Sequence, residues 1–327
     1  MGQHSANDGI ASDWHLVHLG QYAIGGIGLA MTESTAVSAN ARISRGCLGL
    51  WSDAHARGLA KVTAFFAAHG VTRLGVQLNH GGRKGSVTKR WEGSKPIAPD
   101  QGGWPVGGAS AIAYPGRVTP VPLSSDDMAT IRQEFADAAG FANAAGADVV
   151  EIHAAHGYLL HSFLSPLSNN RTDAYGGSIQ NRMRFPLEVF DAARAAWPAG
   201  KPLGVRVSVT DWAAGGLNEE ESFEFCRALK QRGCSYICAS SGGTTPDQNI
   251  PVEPLYQVPF AARIRRDVGI PTMAVGLITE PAQAETILTD GSADLVAMGR
   301  GLLRNPRWMS DAADKLGGSV FHPPQYQ

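Results

Sequence analysis

The sequence predicts an α/β fold, a TIM (β/α)8 barrel that lacks most of its first strand. Short apolar segments alternate with longer amphipathic segments along all 327 residues, which is typical of a parallel sheet built from strand–helix units. The apolar segments have no polar face, as strands require in a sheet that is covered all round. Seven strand–helix units follow a leading helix, whereas a closed barrel needs eight strands. The missing strand is expected upstream of Met1, and residues 1–327 are expected to form one domain.

The helices and strands are predicted from capping residues and from the spacing of apolar side chains. Ser12 and Asp13 can cap a first helix over residues 14–23, and Gly25 and Gly26 can close it. Further helices are predicted over residues 53–69, 124–145, 180–196, 218–232, 255–267, 281–290 and 305–316. Strands are predicted over residues 27–37, 71–78, 149–154, 203–208, 236–240, 271–275 and 294–298.

A long loop excursion is predicted at residues 81–122, between the second strand and the helix that follows it. The excursion is rich in Gly, Pro and Trp, and a connection of this length without regular structure is usually functional or forms a lid. Trp91, Trp104 and Tyr114 lie within it. These aromatic residues either roof a pocket or anchor the loop, and the sequence favours neither.

Composition and charge argue against several classes of partner. The formal net charge is −1, so nothing attracts the protein to nucleic acid or to an anionic membrane. No apolar run approaches the roughly 20 residues that span a bilayer, and the polar N-terminus has no signal-peptide pattern. The 4 cysteines are interpreted as free thiols of a cytosolic protein. We therefore expect a cytoplasmic protein with a small-molecule substrate.

A cluster of polar rings follows the strand at residues 149–154. His153, His156, Tyr158 and His161 lie close together there, just past an apolar run. Imidazoles and phenols donate hydrogen bonds at neutral pH and need no metal to do so. The spacing of the first two histidines would also suit a metal pair, and a tyrosine alone is more often a packed residue than an acid. We expect no metal and favour a catalytic role for the cluster.

Other polar residues and glycines also end predicted strands. In a parallel barrel these ends line one mouth, and the residues concerned are Glu33, Ser34, Thr35, Gln77, His80, His153, His156, Arg206, Ser240, Ser241, Gly242, Gly243, Gly276, Gly299 and Arg300. Loops after the last two strands of such barrels often bind phosphate through backbone N–H groups, although glycines there also simply make turns. Arg206 lies between two valines, where an arginine is costly unless it meets an anionic group.

Seven segments in order along nearly the whole chain carry a further signal. They read DGIASDWHLVHLG, QLNHGGRKGS, EIHAAHGYLLHSFLSPLSNNRTDAYGGSIQNRMRF, VRVSVTDW, ASSGG, MAVGLIT and ADLVAMGRGLLRNPRW. With these segments the chain resembles the flavin-dependent Old Yellow Enzyme family of NADH:flavin oxidoreductases and NADPH dehydrogenases. Within that family it is similar to the branch of shorter bacterial ene-reductases and xenobiotic reductases.

The resemblance implies FMN in the barrel mouth and NADPH or NADH as co-substrate. Gln77 would bond the pyrimidine edge of the flavin, and Arg206 would lie beside N1 and the C2 carbonyl. A fixed cation there stabilises the negative charge of the reduced ring. The resemblance also implies a homodimer or a homotetramer. The full set of expected cofactor-binding residues is Met1, Gly2, Ser34, Gln77, Arg206, Gly276, Gly299 and Arg300.

The resemblance also assigns the polar rings. His153 and His156 would bind a carbonyl or nitro oxygen of the substrate, and Tyr158 would protonate the carbon α to that group after flavin N5 delivers hydride to the β carbon. One departure concerns the N-terminus, where this branch commonly reads Met-Cys-Gln-Tyr. Here Gly2 replaces the thiol that tunes the flavin potential, and His4 replaces the tyrosine of the substrate pocket.

The expected function is FMN-dependent reduction of activated C=C bonds in enones, maleimides and nitroalkenes. Two alternatives stay open at this point. One is a reductase of CoA-thioester or other xenobiotic substrates. The other is a flavin-binding barrel without turnover, because the first strand is missing.

Overall fold

The computed structural model describes residues 1–326, which are organised by one parallel sheet. Its strands, and a two-residue pair in the excursion, are β1 (Leu29–Ala36), β2 (Arg73–Asn79), β3 (Gly107–Gly108), β4 (Val121–Pro122), β5 (Val149–Ala154), β6 (Leu203–Ser208), β7 (Ile237–Ser240), β8 (Thr272–Ala274) and β9 (Leu295–Val296). The main sheet has 7 strands in the order β1-β2-β5-β6-β7-β8-β9, and each neighbouring pair is parallel. The seven predicted strands and their parallel arrangement are confirmed.

Helices connect these strands. They are α1 (Asp13–Ala23), α2 (Asp53–His69), α3 (Ser125–Ala144), α4 (Leu159–Leu164), α5 (Ile179–Arg182), α6 (Arg184–Ala196), α7 (Glu219–Gln231), α8 (Val258–Asp267), α9 (Pro281–Thr289), α10 (Arg300–Arg304) and α11 (Trp308–Leu316). The prediction missed α4, which begins directly after Tyr158, and α10. The helix predicted over residues 180–196 is interrupted at Met183, which ends α5 and precedes α6.

The sheet curls until segments from the two ends of the chain meet. A Cβ atom on Gly25, just before β1, would lie 2.3 Å from the carbonyl oxygen of Pro306, which follows β9. A Cβ atom on Gly26 would lie 2.4 Å from Cγ2 of Val320. Among residues 1–326 no hydrogen-bonded ladder joins β1 to β9. The structure therefore contains a curled seven-stranded sheet, and closure of an eight-stranded barrel with a missing first strand stays a prediction.

The inner face of the sheet is filled by side chains below the strand ends. Two strand glycines leave room for large neighbours, because a Cβ atom on Gly204 would lie 2.2 Å from the ring of Tyr236, and one on Gly75 would lie 2.2 Å from Sδ of Met31. The remaining apolar side chains of this inner cluster are Val149, Cys238, Met273 and Val275. The interior is therefore a packed floor and not a pore.

The outer face is covered by helices, with α3 packed against α6. The largest buried side chains are Trp197, Phe135, Phe163, Phe185, Phe190 and Phe223. Residues 81–122 contain only short 3₁₀ turns and the β3–β4 pair, as predicted for the excursion. Within residues 1–326 no helix has the length and apolar character that crossing a bilayer requires.

A buried histidine at the end of β2 makes stability depend on pH. Burial lowers the pKa of His80 to about 4, and its Nδ1 accepts a hydrogen bond from the backbone N–H of Gly82 at 3.0 Å. The unfolded chain binds the proton at a pKa of about 6.5. Because the folded pKa is the lower one, stability is fully present above about pH 6.5 and falls as pH decreases towards 4.

We expect His80 alone to lower the free energy of unfolding by about 3 kcal/mol between pH 7 and pH 4. His80→Asn should be less stable at pH 7, because it changes a buried site, but its stability should fall less steeply with acid. Urea unfolding at several pH values measures both slopes. Equal slopes in the two proteins would contradict the assignment.

Candidate active site

The strand register brings four of the predicted site residues to the inner face of the sheet. Ser34 on β1 pairs with Gln77 on β2, and His153 on β5 pairs with Arg206 on β6. Directly paired residues of parallel strands point to the same face. All four therefore line the interior near the carboxyl ends of the strands, as the sequence predicted.

Arg206 is the fixed cation of this interior. Its Nε is buried and has no hydrogen-bond partner, and no carboxylate of residues 1–326 lies within ion-pair distance of its guanidinium. An arginine in a strand between buried valines is costly unless an acceptor meets it. The guanidinium is therefore suited to an acceptor-rich ligand such as the polar edge of a flavin.

A buried carboxylate lies beneath these groups. Glu151 is 1% exposed and accepts hydrogen bonds from Gln77 Nε2 at 2.7 Å and from the hydroxyl of Tyr236 at 3.2 Å. Burial raises the pKa of Glu151, while the charge of Arg206 and both hydrogen bonds oppose that shift. Sequence reasoning missed Glu151. The available signal was a charged residue inside an apolar strand, two positions before His153 and so on the same face.

The two histidines lie side by side and are neutral at physiological pH. Nδ1 of His153 accepts from the backbone N–H of Ala155 at 3.2 Å, so its proton lies on Nε2, which is 3.3 Å from Nδ1 of His156. Nε2 of His156 lies 2.8 Å from Oγ of Ser240. Burial first, and then the charge of Arg206, hold the pKa of both imidazoles well below the usual range. The pair therefore offers neutral N–H donors.

Tyr158 follows the histidines through a tight turn. His156 and Gly157 both have left-handed backbones, with φ of 59° and 73°. The Tyr158 ring meets the His153 ring edge-on, with centroids 5.0 Å apart. Its side chain is partly exposed, and no residue of 1–326 makes a hydrogen bond to its hydroxyl. Its deep position raises the pKa of Tyr158 to about 12, so the phenol is protonated at neutral pH.

His161 lies outside the cluster, although its sequence position looked equivalent. It is fully buried on α4, where its Nδ1 accepts from the Gly157 N–H at 2.8 Å and its Nε2 lies 3.2 Å from Asp211. Burial alone would raise the pKa of Asp211, but His161 and the hydroxyls of Ser165 and Thr244 lower it overall. His161 therefore supports the turn that carries Tyr158 and does not reach the site.

The first residues of the chain lie beside the same interior. The amino group of Met1 interacts with Glu33 and Arg206, and a Cβ atom on Gly299 would lie 2.9 Å from Sδ of Met1. His4 has a left-handed backbone (φ 51°), and its Nδ1 lies 2.7 Å from Oγ of Ser44. Its ring meets the Trp91 ring edge-on at 5.9 Å. The excursion therefore borders His4 at this wall.

The same ring of His4 occupies the space beside Gly2. A Cβ atom on Gly2 would lie 3.0 Å from Nε2 of His4, so a larger residue at position 2 would require the imidazole to move. The two departures from the family pattern at the N-terminus are thus in mutual contact.

The predicted phosphate residues lie at the ends of the last two strands. Gly276 follows β8 with φ of 121°, and a Cβ atom there would lie 3.1 Å from the backbone N of Gln257. Gly299 precedes α10, and Arg300 begins that helix as an exposed residue. Burial raises the pKa of the Tyr256 hydroxyl, and the positive charges of Arg300 and Arg206 both oppose that shift. The structure therefore brings this set to the same side of the sheet as Arg206.

The comparison with protein families decides the identity. The profile of the NADH:flavin oxidoreductase / NADH oxidase family matches residues 1–317. The chain belongs to this family, the Old Yellow Enzyme family. The chain is therefore an NAD(P)H-dependent flavin oxidoreductase with FMN as its cofactor.

Relatives and solved structures of the Old Yellow Enzyme family agree with the match. The chain is 44% identical to NADPH dehydrogenase of Geobacillus thermodenitrificans (strain NG80-2), across 98% of this chain and 89% of the relative. Morphinone reductase has a similar structure, with a TM-score of 0.81, 28% identity, and coverage of 99% of this chain and 86% of that one. Morphinone reductase in complex with tetrahydroNAD gives a TM-score of 0.79 at 28% identity, with coverage of 99% and 87%.

The residues present fit FMN. The unpartnered guanidinium of Arg206 and the free Oε1 of Gln77, whose Nε2 is held by Glu151, match the acceptors and donors of a flavin pyrimidine edge. Residues 1–326 contain no group of three or more His, Cys, Asp or Glu side chains arranged to hold a metal ion.

Proposed function

We propose that this member of the Old Yellow Enzyme family reduces activated C=C bonds, in enones, maleimides and nitroalkenes, with reducing equivalents from NADPH or NADH. The observation that supports this proposal is the hydroxyl of Tyr158, which has no hydrogen-bond partner among residues 1–326. The Tyr158 ring lies 5.0 Å, between centroids, from the ring of the neutral donor His153. FMN supplies hydride to the β carbon when bound. The protein has to hold the substrate oxygen, orient the alkene and provide one proton.

In the proposed mechanism His153 and His156 hold the substrate's carbonyl or nitro oxygen. The Nε2–H of His153 faces Nδ1 of His156, and the Nε2–H of His156 faces Oγ of Ser240. A substrate oxygen would therefore compete with these two partners for the N–H donors. Because both imidazoles are neutral, they polarise the oxygen without giving up a proton. Donors aimed at a developing negative oxygen lower the barrier to reaction.

Tyr158 then provides the proton to the carbon α to the activating group. Its hydroxyl has no hydrogen-bond partner within residues 1–326, and it carries its proton throughout the physiological range, since its pKa is about 12. A weak acid is sufficient when it is placed in line with a strongly basic carbanion. The proposed substrate residues are thus His4, His153, His156 and Tyr158.

The proposed cofactor residues divide into two sets. Ser34, Gln77 and Arg206 would contact the ring with Met1 and Gly2 at the adjacent wall, and the phosphate would be bound by Gly276, Gly299 and Arg300. Their placement at one end of the sheet supports this division. Assembly into a homodimer or homotetramer stays a prediction.

The Arg206→Met variant tests whether the positive charge of Arg206 stabilises the reduced flavin ring. We expect the purified variant to hold less FMN and to show a midpoint potential lower by at least about 30 mV. For a two-electron couple, that shift corresponds to a tenfold loss in the stability of reduced FMN relative to oxidised FMN. Dye-coupled reduction measures the potential, and absorbance measures the FMN content. Arg73→Met is the control, since Arg73 is exposed at the opposite end of the sheet. An unchanged potential would contradict the role.

Anaerobic titration tests the proposed function. NADPH and NADH are added separately to the FMN-loaded protein, and loss of flavin absorbance reports the first half-reaction. Cyclohexenone, N-methylmaleimide and a nitroalkene then report the second. A flavin that stays oxidised would support the barrel without turnover, and a flavin that is reduced but ignores every alkene would support a different class of acceptor.

A further inference from the structure

Lys84 is a partly buried lysine that joins two loops of the site. It ends a 3₁₀ turn (Gly82–Lys84) just after β2. Its Nζ donates hydrogen bonds to the carbonyl oxygen of His156 at 2.8 Å and to that of Gly243 at 2.7 Å. These carbonyls belong to the loops after β5 and β7. One ammonium therefore holds together two strand ends that are far apart in sequence.

Both carbonyls belong to residues with unusual backbones. His156 and Gly243 have left-handed φ angles of 59° and 94°, and a non-glycine residue in this region is costly. A Cβ atom on Gly157 would lie 2.4 Å from the carbonyl oxygen of Gly243, so the loops touch directly. The lysine thus stabilises the backbone that carries His156 and, two residues later, Tyr158.

The ammonium also faces two aromatic rings. Nζ lies 4.3 Å from the ring centroid of Tyr114, in the excursion, and 5.5 Å from that of Tyr158. A cation at these distances from a ring face is attracted by the π electrons. The attraction increases when the ring becomes a phenolate, because the ring and its oxygen then carry a full negative charge.

No acid neutralises this charge within residues 1–326. Lys84 has no ion pair there, and its charged neighbours Arg83 and Arg117 are cations. Burial, and then these two arginines, lower its pKa to about 7. Even a partly buried ammonium is unfavourable for stability when no carboxylate accompanies it, and such groups concentrate at functional sites. A loop anchor alone would not require a cation against the Tyr158 ring.

We propose that Lys84 is a positioning residue for proton transfer: its ammonium fixes the loop of His156 and stabilises the phenolate that Tyr158 becomes. This inference rests on the proposed function. In the step, the O–H bond of Tyr158 breaks and a C–H bond forms at the α carbon of the substrate. The bonding electron pair stays on the phenolate oxygen, water later returns the proton, and Lys84 keeps all its protons.

The proposal predicts a pH dependence of alkene reduction. Above pH 7 the ammonium loses its proton, so the step should slow as pH rises through about 7. The groups that face Lys84 are Arg83, Tyr114 and Arg117 from the excursion, His153 from β5, and His156 and Tyr158 from the loop after β5. The two histidines have pKa values well below 6.5, the Tyr158 pKa is about 12, and arginines stay charged. Lys84 is therefore the group expected to cause the fall in the rate of alkene reduction near pH 7, which is the alkaline limb of the pH profile.

Stopped-flow measurements on the FMN-loaded protein test the proposal. In Lys84→Met we expect alkene reduction at pH 6.5 to slow about tenfold, its solvent deuterium isotope effect to increase, and the limb near pH 7 to disappear. Flavin reduction by NADPH should change less than twofold. Lys84→Arg should recover part of the rate, and Lys95→Met, an exposed lysine of the excursion, is the matched control. Equal slowing of both half-reactions, or an unchanged isotope effect, would overturn the proposal.

A second measurement does not depend on turnover. In protein carrying [13C-ζ]tyrosine, the Tyr158 resonance, assigned with Tyr158→Phe, should shift with a midpoint near pH 7 and should lose that shift in Lys84→Arg, whose side chain does not titrate there. A Tyr158 resonance that is flat between pH 6 and 9 would overturn the proposal even if Lys84→Met does not fold. If the shift is present but no alkene is reduced, the proposed function fails and the Lys84–Tyr158 contact stands.

Discussion

Replacing Tyr158 by Phe should slow alkene reduction by about 100-fold or more, the usual contribution of a general acid, while flavin reduction by NADPH changes less than twofold. The substitution removes one oxygen atom that has no protein hydrogen-bond partner among residues 1–326, so no neighbouring group is left unsatisfied. The ring remains against His153. Loss of the proton donor is therefore the main physical change, and stopped-flow measurement of each half-reaction separates it from loss of cofactor.

The matched control is Tyr175→Phe. The hydroxyl of Tyr175 lies 3.3 Å from Glu188 on α6, remote from the strand ends. Its removal should leave both half-reactions unchanged. If Tyr158→Phe slows both half-reactions equally, Tyr158 positions the flavin or the loop and is not the acid.

Replacing both His153 and His156 by Ala should lower kcat/KM for an enone by about 1000-fold, since loss of one such donor typically costs 100- to 1000-fold. The pair provides neutral N–H donors, and alanine provides none. The same variant should lose the long-wavelength charge-transfer band that a bound phenol gives with oxidised FMN, because the phenol oxygen has lost its donors. Absorbance titration with 4-hydroxybenzaldehyde measures the band, and steady-state kinetics measure the rate.

Two further variants interpret that result. His156→Asn retains an N–H donor at a similar position and should retain part of the activity. His69→Ala removes an exposed histidine at the end of α2 and should have no effect. A band of unchanged intensity in the double variant, with FMN still bound, would mean that other groups bind the oxygen.

The strand ends were predictable because apolar runs are interrupted by polar residues at defined points. The His153–Arg206 pairing required only that β5 and β6 be neighbours in register. Such adjacency follows from the strand–helix alternation, since consecutive units of a parallel sheet lie side by side. The position of His153 next to Arg206 could therefore be predicted from the sequence.

The contacts that hold the site residues in place could not be predicted from the sequence. Lys84 reaches the His156 carbonyl across 72 positions, and no local pattern encodes a lysine-to-carbonyl contact over that separation. Glu151 was visible as a charge in an apolar strand, but its partner Tyr236 lies 85 positions away. Helix α4 was missed for a different reason. It has only 6 residues, which are too few to show helical periodicity.

The packed floor at Gly204 and Tyr236 has a kinetic consequence. Side chains fill the inner face below Glu151, so under the proposed function the nicotinamide nucleotide and the alkene would both enter from the strand ends. They would then compete for one site, and each would have to leave before the other binds. The enzyme would then work by a ping-pong mechanism, in which an excess of either reactant inhibits the half-reaction of the other.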